Sequence, residues 1–312
     1  TVLSRGLGDV YKRQSRMETI GMKTELTVLD GGMGQELIRR GSPPGGLWSA
    51  KALIDKPESV RAVHQDYIDA GARVIITNSY STIPSYLAKE NMQSRYAELT
   101  ETAAVLAREV ADQAQAAVRV AGSVPPLSES YRHDLVPEDA QARPIYEVIV
   151  GALADHVDLY ICETMSSVRE AVNAAWSVRK VDPNKPLWVA LTLADEPGGG
   201  LRSGETMAEV VTALESFNVD AYLFNCTDPK AISVALEEIA PLTDKPTGAY
   251  PNRFHVPAGW TLDNDVKTKP IEMTVEQYLE FVDAWRQSGA SIIGGCCGIG
   301  PEFIAALSSH QE

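Results

Sequence analysis

The stretch GGCCGIGP, residues 294–301, places two adjacent cysteines between glycines near the end of the chain. Cys296 and Cys297 could be a buried pair of small apolar residues, a vicinal redox pair, or two ligands of a metal ion. A third cysteine, Cys226, follows the apolar run AYLFN. If the fold brings Cys226 to the adjacent pair, the three sulfurs form a thiolate face. Such a set would suit a catalytic zinc site, which keeps three protein ligands and one open position.

The elements that must position these cysteines follow from hydrophobic periodicity. Short β-branched runs alternate with longer amphipathic stretches, which predicts a parallel sheet covered by helices. Strands are predicted at 27–30, 73–78, 118–123, 158–163, 187–193, 221–226, 246–250 and 290–295. Helices are predicted near 57–71, 94–117, 137–155, 167–180, 205–217, 228–240, 274–288 and 301–309. Eight such units predict an α/β fold, a single (β/α)8 TIM-type barrel, rather than an open doubly wound sheet.

The carboxyl ends of the predicted strands carry the remaining candidate residues, because barrel enzymes place their chemistry there. Three of the four cysteines fall on this rim, and the same rule selects Asp30, Thr77, Glu163 and Asn225. Neighbouring side chains of a strand point to opposite faces. If Glu163 faces the barrel mouth, the preceding Cys162 therefore packs outward as an inert buried thiol.

The glycines around the adjacent cysteines would allow both sulfurs to point toward the barrel axis. Two consecutive residues of a regular strand cannot both face the barrel axis. Gly294, Gly295 and Gly298 relax this limit, since glycine adopts backbone angles closed to other residues. Elsewhere, the glycine-rich GGGLRSGE stretch, residues 198–205, matches no nucleotide-binding fingerprint.

Composition narrows the class of partner. The formal net charge of −14 argues against nucleic acid or an anionic membrane, and no apolar stretch approaches the ~20 residues of a membrane span. Four cysteines in 312 residues do not form a disulfide framework, which favours a reducing cytoplasm. We therefore expect small-molecule substrates; the sequence leaves the oligomeric state open.

The first residues need separate treatment. Residues 1–16 have no apolar core of a secretory signal and are expected to be a non-native or disordered tail, with Met17 or Met22 as the natural start. Residues 17–312 are expected to form the barrel domain.

Seven motifs together resemble the homocysteine S-methyltransferase family, zinc-dependent barrel enzymes that methylate homocysteine to methionine. They are LDGGMGQELIRRG (29–41), LWSAK (47–51), VHQDYIDAGARVIITNSY (63–80), ETMSSVREA (163–171), LRSGET (201–206), FNC (224–226) and GGCCGIGP (294–301). The LWSAK motif is most similar to the branch that uses S-methylmethionine or S-adenosylmethionine.

The resemblance implies roles for the rim residues. Cys226, Cys296 and Cys297 would bind one zinc ion per chain. Asp30 and Glu163 would hold the amino group of the substrate. The Asp-Gly-Gly turn with Gly31, together with Thr77 and Asn225, would line the amino-acid pocket.

The methyl donor is expected to be a sulfonium. A zinc ion with thiolate ligands is net negative and attracts a cationic methyl donor, and the chain has no length to spare for folate or corrinoid domains. Two loops depart from the relatives' pattern: residues 122–139 are shorter and lack a Gly-Pro-Tyr-Gly run, and residues 250–260 read YPNRFHVPAGW. Both are expected over the barrel mouth. Trp48 and Trp260 could stack on a cation there or pack beneath the loops.

Other functions stay open at this point. The same site could use betaine or another donor, or a different thiol or selenol acceptor. Glycines after the last strands also suit a phosphate-binding isomerase or aldolase. The vicinal cysteines alone would suit a thiol–metal buffer or redox sensor, which would not need Asp30 or Glu163.

Overall fold

The computed structural model describes residues 25–42, 47–257, 259–261 and 267–310. Eight parallel strands form its centre: β1 Thr27–Val28, β2 Val74–Ile76, β3 Arg119–Val124, β4 Leu159–Met165, β5 Leu187–Leu191, β6 Ala221–Asn225, β7 Thr247–Tyr250 and β8 Ala290–Ile293. Strands β2 to β8 pair in chain order and β8 pairs with β1. A parallel bridge between Leu29 and Val74 closes the ring. The predicted TIM-type barrel is confirmed; the predicted tail, residues 1–16, lies outside the described residues.

Eleven α-helices are found in the described ranges. They are α1 Met33–Arg39, α2 Ala50–Asp55, α3 Pro57–Asp69, α4 Pro84–Leu87, α5 Tyr96–Gln113, α6 Asp139–Leu153, α7 Val168–Val181, α8 Met207–Leu214, α9 Pro229–Ile239, α10 Val275–Gln287 and α11 Pro301–Ser309. Local signals explain several boundaries: α8 and α10 begin with capping boxes at Thr206 and Thr274, and α3, α9 and α11 begin with proline. Helices α1, α2 and α4 were not predicted, because each is too short for a helical period to show.

The hydrophobic core has two layers. The barrel interior holds Leu29, Val74, Ala121, Leu159, Ile161, Trp188, Ala190, Ala221, Leu223, Tyr250 and Ile292, and a larger cluster fills the space between strands and helices. Along β4, Ile161 belongs to the interior and Cys162 to the outer layer. Cys162 is fully buried, and burial raises the pKa of its thiol. This is the outward position that strand alternation predicts.

The segment between β7 and α10 departs from a plain βα loop. Phe254–His255 pairs antiparallel with Lys269–Pro270, so the segment folds back on itself at the barrel mouth. The sequence marked this loop as unusual but did not predict the hairpin. No helix within the described ranges is long and apolar enough to cross a membrane.

His64 on α3 is an unusual core residue. It is fully buried, and neither ring nitrogen has a hydrogen-bond partner among the described residues. Burial lowers the pKa of its imidazole to about 4. The side chain therefore remains neutral in the folded protein over a pH range where an exposed histidine is charged.

This shift predicts a pH-dependent stability. Between pH 6.5 and 4 the unfolded chain binds a proton at His64 that the folded chain does not, so the free energy of unfolding falls as pH falls, by up to about 1.4 kcal/mol per pH unit. His64→Leu should flatten this part of the profile, measured by urea unfolding at pH 5 and 7.5. The exposed His133→Gln is the control. Parallel profiles for wild type and His64→Leu would contradict the assignment.

Candidate metal centre and substrate cavity

Three cysteine sulfurs meet at the carboxyl end of the barrel. Cys226 directly follows β6, and Cys296 and Cys297 lie three and four residues beyond the end of β8. Their sulfurs all lie within 4.8 Å of one another, the one such group of three or more His, Cys, Asp or Glu found in the described part of the chain. Cys226 is buried, whereas the adjacent pair is half-buried. The fold therefore brings together the three cysteines that the sequence placed on the rim.

The backbone bends in two places to bring the sulfurs together. Cys226 adopts a left-handed conformation with φ of 49°, and its N–H donates to the Tyr250 carbonyl oxygen at 3.3 Å. The Cys296 N–H donates to the Pro251 carbonyl oxygen at 2.8 Å. Gly298, with φ of 86°, turns the chain immediately after the pair. Cys226 is thus held by the end of β7, Cys296 by the loop after β7, and Cys297 by the turn that follows it.

Gly294 and Gly295 act differently from the prediction. Neither has a positive φ, so their backbone freedom is not what the site uses. A Cβ on Gly294 would lie 2.4 Å from the Leu29 Cβ, and one on Gly295 would lie 2.1 Å from the Ile299 side chain. The two glycines are needed for close packing, because a side chain at either position would push the cysteine turn away from β1 or from the Ile299 side chain.

The donor set fits a thiophilic metal. Hydrogen bonds from the thiols of Cys296 and Cys297 lower the pKa of Cys226 well below that of a free thiol, despite its burial. The same hydrogen bonds to Cys226 raise the pKa values of Cys296 and Cys297. A cysteine whose pKa is lowered beside two further sulfurs favours binding of a cation, and a set made only of sulfur suits zinc or another soft ion.

A cavity of about 600 Å³ lies above the sulfurs. This volume is typical of a pocket for small molecules. Seven of its described lining residues are aromatic: Trp48, Tyr80, Tyr86, Tyr131, Tyr250, Phe254 and Trp260. Asp30 and Glu163 are the carboxylic acids in the described lining, and Lys267 is the one lysine or arginine. The cavity is thus an apolar, aromatic chamber with acidic groups beside a sulfur floor.

Asp30 and Glu163 lie almost fully buried in this wall. The Ile76 N–H donates to Asp30 Oδ2 at 2.8 Å. The Ser123 hydroxyl donates to Glu163 Oε1, and the Tyr250 hydroxyl donates to Oε2 at 3.3 Å. Burial raises the pKa of Asp30 well above its usual range and that of Glu163 to about 7. The negative charge of Glu163 further raises the pKa of Asp30, so a cation between them would be stabilised by both.

Gly31 and Thr77 also line the cavity. A Cβ on Gly31 would lie 2.3 Å from the Ile299 carbonyl oxygen, so only glycine allows the β1 loop to approach the cysteine turn. The Thr77 hydroxyl accepts from the Ser123 N–H at 2.9 Å and lies 2.8 Å from the Ser79 hydroxyl. Both residues thus line the cavity, and their contact with an amino acid stays a prediction.

Asn225 is an exception. The sequence assigned it to the pocket lining, but the structure places its fully buried amide behind the cavity wall. Its Oδ1 accepts from the Thr164 N–H at 2.9 Å, and its Nδ2 donates to the Thr164 hydroxyl at 2.8 Å. Thr164 follows Glu163 and has a φ of 60°. Asn225 therefore supports the strained end of β4, and its side chain acts on the cavity through Thr164.

Backbone strain is concentrated at this site. Six described residues other than glycine have a positive φ, and four of them line the cavity: Trp48, Tyr131, Thr164 and Cys226. The other two, Asn91 and Asn218, end short helices, where asparagine often adopts this conformation. Strained residues persist only where their surroundings hold them, and they cluster at functional sites.

Sequence reasoning missed several residues of the site. Ser123 and Tyr250 end or nearly end β3 and β7, so the strand-end rule could have selected them. Tyr131 lies in the loop after β3, and no motif marked it. Its place beside Cys226 depends on the tertiary structure alone.

Comparison with known proteins agrees with this geometry. The family model described as homocysteine S-methyltransferase matches residues 27–310. The homocysteine S-methyltransferase of Escherichia coli (strain K12) is 33% identical over an alignment that covers 93% of this chain and 96% of the relative. The selenocysteine methyltransferase of Astragalus bisulcatus is 32% identical, with 91% and 93% covered.

A solved structure is similar over nearly the same span. The metallated form of the homocysteine methyltransferase MmuM from Escherichia coli superimposes with a TM-score of 0.77 at 30% identity, covering 94% of this chain and 98% of that one. The family model, the sequence relatives and the shared barrel lead to one conclusion: the chain belongs to the homocysteine S-methyltransferase family.

Proposed function

We propose that the protein transfers a methyl group from a sulfonium donor, S-methylmethionine or S-adenosylmethionine, to the thiol of L-homocysteine, forming methionine. One zinc ion per chain would be held by Cys226, Cys296 and Cys297. The observation that carries the proposal is the meeting of three sulfurs with two buried carboxyl groups in one aromatic cavity.

The acceptor side of the cavity suits an amino acid. Asp30 and Glu163 are buried carboxyl groups whose pKa values are raised by burial. An ammonium group bound between them would replace lost hydration with charge-assisted hydrogen bonds and favour their ionised forms. The ammonium would thus orient homocysteine with its sulfur free to lie near the three cysteines. The hydroxyls of Ser123 and Tyr250 hold Glu163 in place for this contact.

The metal's part in the chemistry is limited. When bound, zinc keeps the sulfur of a coordinating thiol deprotonated at neutral pH. In the reaction itself, the bond between the donor sulfonium and its methyl carbon breaks as a new bond to the acceptor sulfur forms, and the donor leaves as a neutral thioether. The residues of the cavity contribute by aligning the two reactants and excluding water. Alignment alone can lower the activation barrier by several kcal/mol.

The donor side favours a cation. Aromatic faces attract onium groups, and they are more numerous in the lining than basic groups. The two loops that depart from the relatives' pattern meet here: Tyr131 comes from residues 122–139 and Trp260 from residues 250–260. Their rings lie edge to face with centroids 5.6 Å apart, beside Cys226. This contact supports a donor site built by the two unusual loops.

A second acceptor class has specific support. One relative of similar identity is a selenocysteine methyltransferase, and a selenol would meet the same sulfur floor and acidic wall. The isomerase, aldolase and metal-buffer alternatives explain neither the cavity carboxyl groups nor the family match. A small-molecule enzyme of the cytoplasm, where free thiols persist, remains our expectation.

The metal assignment predicts a clear difference among cysteine variants. Reduced wild-type protein should contain one zinc per chain by elemental analysis. Cys226→Ser and Cys297→Ser should lose most of it, because two sulfurs hold zinc less tightly than three. Cys162→Ser, buried in the outer layer, is the matched control and should keep zinc and activity. Unchanged zinc in Cys226→Ser and Cys297→Ser would refute the site.

The acceptor assignment predicts a defect in homocysteine binding for Glu163→Gln. Losing one charge-assisted hydrogen bond costs roughly 1.5–3 kcal/mol, so KM for homocysteine should rise roughly 10- to 100-fold with zinc still bound. Glu170→Gln is the control: Glu170 is equally buried, but its Oε2 bonds Ser166 outside the cavity. It should lower stability and leave KM unchanged. Normal steady-state kinetics in Glu163→Gln would exclude the role.

The donor assignment is tested by a panel of methyl sources. Zinc-loaded protein and homocysteine are incubated separately with S-methylmethionine, S-adenosylmethionine, betaine and methylcobalamin, and methionine is followed by mass spectrometry. We expect methionine from a sulfonium. Product from betaine alone would overturn the sulfonium choice and keep the reaction type. In a parallel set with selenocysteine in place of homocysteine, Se-methylselenocysteine is followed; this product, without methionine in the first set, would change the acceptor.

A further inference from the structure

The stretch LRSGET, residues 201–206, has no part in the reaction described so far. It follows β5 and lies in a turn where Leu201 forms an isolated β-bridge with Leu193. Two glycines of this turn, Gly200 and Gly204, have positive φ. The turn holds the Arg202 side chain inward, 11% exposed, against the rear of the cavity wall. A nearly buried arginine at the rim of the barrel needs an explanation.

Arg202 makes three contacts that lead to the metal centre. Its Nε donates to the Thr192 hydroxyl at 3.2 Å, and the Thr192 hydroxyl donates onward to the Cys226 carbonyl oxygen at 3.3 Å. Its terminal nitrogen donates to Asp195 Oδ1 at 3.1 Å. The guanidinium carbon lies 4.7 Å from the centre of the Tyr131 ring. One planar group therefore contacts the loop after β5, the loop after β3 and, through Thr192, the left-handed Cys226.

Tyr131 depends on such support. Its φ of 68° is unfavourable for a bulky residue and persists only when the surroundings hold it. The Arg202 guanidinium and the edge-to-face Trp260 ring provide two of its contacts. Its neighbours Cys226 and Val256 complete a small apolar cluster above the sulfurs. A shift of Arg202 would therefore move the aromatic wall that faces the metal centre.

Asp195 links Arg202 to the loop after β7 and offsets the positive charge of the guanidinium. Its Oδ1 pairs with Arg202, and its Oδ2 accepts from the Val256 N–H at 3.0 Å, in the loop after β7. The pair thus ties the β5 and β7 loops together beside the cavity. Asp195 also offsets the positive charge of Arg202, which would otherwise oppose a cationic molecule bound against Tyr131.

We propose that Arg202 is a positioning residue for the methyl donor: it holds Tyr131 and the Val256 loop against Cys226, so that the aromatic wall lies beside the sulfurs and faces a methyl-bearing cation bound in the cavity. The inference rests on the proposed methyl transfer. Arginine suits this position because its planar, forked group can lie against an aromatic ring and donate in two fixed directions at once; the compact ammonium of lysine has neither the plane nor the fixed fork.

The kinetic test compares Arg202→Met and Arg202→Lys with wild type, using zinc-loaded full-length protein. Both variants should lose tenfold or more in kcat/KM for the sulfonium donor, because small displacements in an aligned site carry large losses. Zinc content and KM for homocysteine should stay unchanged. Arg202→Lys keeps the positive charge and removes the planar group, so a loss in this variant shows that charge alone is not enough. Full activity in Arg202→Lys would overturn the proposal.

Arg179→Lys is the matched control. Arg179 is also largely buried and donates to backbone carbonyls of Phe217, Asn218 and Lys185, outside the described cavity lining. It should lose stability with donor KM unchanged. If the Arg202 variants raised the KM values of donor and homocysteine equally, or lost zinc, Arg202 would be a general structural support and the proposal would be wrong.

A second readout does not depend on methyl transfer. The fluorescence of Trp260 is obtained by subtracting the signal of matched Trp260→Phe proteins, and its quenching by acrylamide is measured. Quenching should increase in Arg202→Met, because the Tyr131 ring that shields Trp260 is released. Unchanged quenching would overturn the positioning role. If wild type made no methionine from any donor, the proposed function would fail, and the quenching result would still decide whether Arg202 holds the wall.

Discussion

The whole site depends on bringing three sulfur atoms to within 4.8 Å of one another at the open end of a barrel. Regular strands cannot do this, since consecutive side chains diverge. The protein meets the constraint with a left-handed Cys226, a turn at Gly298, and two glycines that allow the cysteine turn to lie against Leu29 and Ile299. The loop after β1 packs against the cysteine turn, because Gly31 has no side chain and leaves space for the Ile299 carbonyl oxygen.

Such an arrangement needs a stable frame. Left-handed residues, buried carboxyl groups and clustered thiols each oppose folding, and here they lie within one cavity wall. The two hydrophobic layers of the barrel offset this cost. Hydrogen bonds then hold individual strained positions: Asn225 holds Thr164 at the end of β4, and Ser123 and Tyr250 hold Glu163. The orientations of Thr164 and Glu163 in the cavity wall are thus set by the residues that hydrogen-bond to them.

Under the proposed function, the two substrates would contact different parts of the site. The ends of β1 and β4 carry Asp30 and Glu163, which belong to the barrel itself and would bind the amino-acid acceptor. The loops after β3, β5 and β7 carry Tyr131, Arg202 and Val256, which meet beside Cys226. A change of loop sequence can therefore alter this aromatic wall while Asp30, Glu163 and the three cysteines stay in place, because the βα-loops of barrels vary on an unchanged frame.

The sequence by itself determined the barrel, the rim position of three cysteines, Asp30, Thr77 and Glu163, and the outward face of Cys162, because hydrophobic periodicity and strand alternation are local properties. Only the tertiary structure decided that Asn225 supports Thr164, that Gly294 and Gly295 provide space rather than backbone freedom, and that Arg202 stacks on Tyr131. Apart from the contact of Gly295 with Ile299 inside the cysteine turn, each of these joins residues from different βα units. Such contacts are determined by how strands and loops pack in space, which spacing along the chain does not encode.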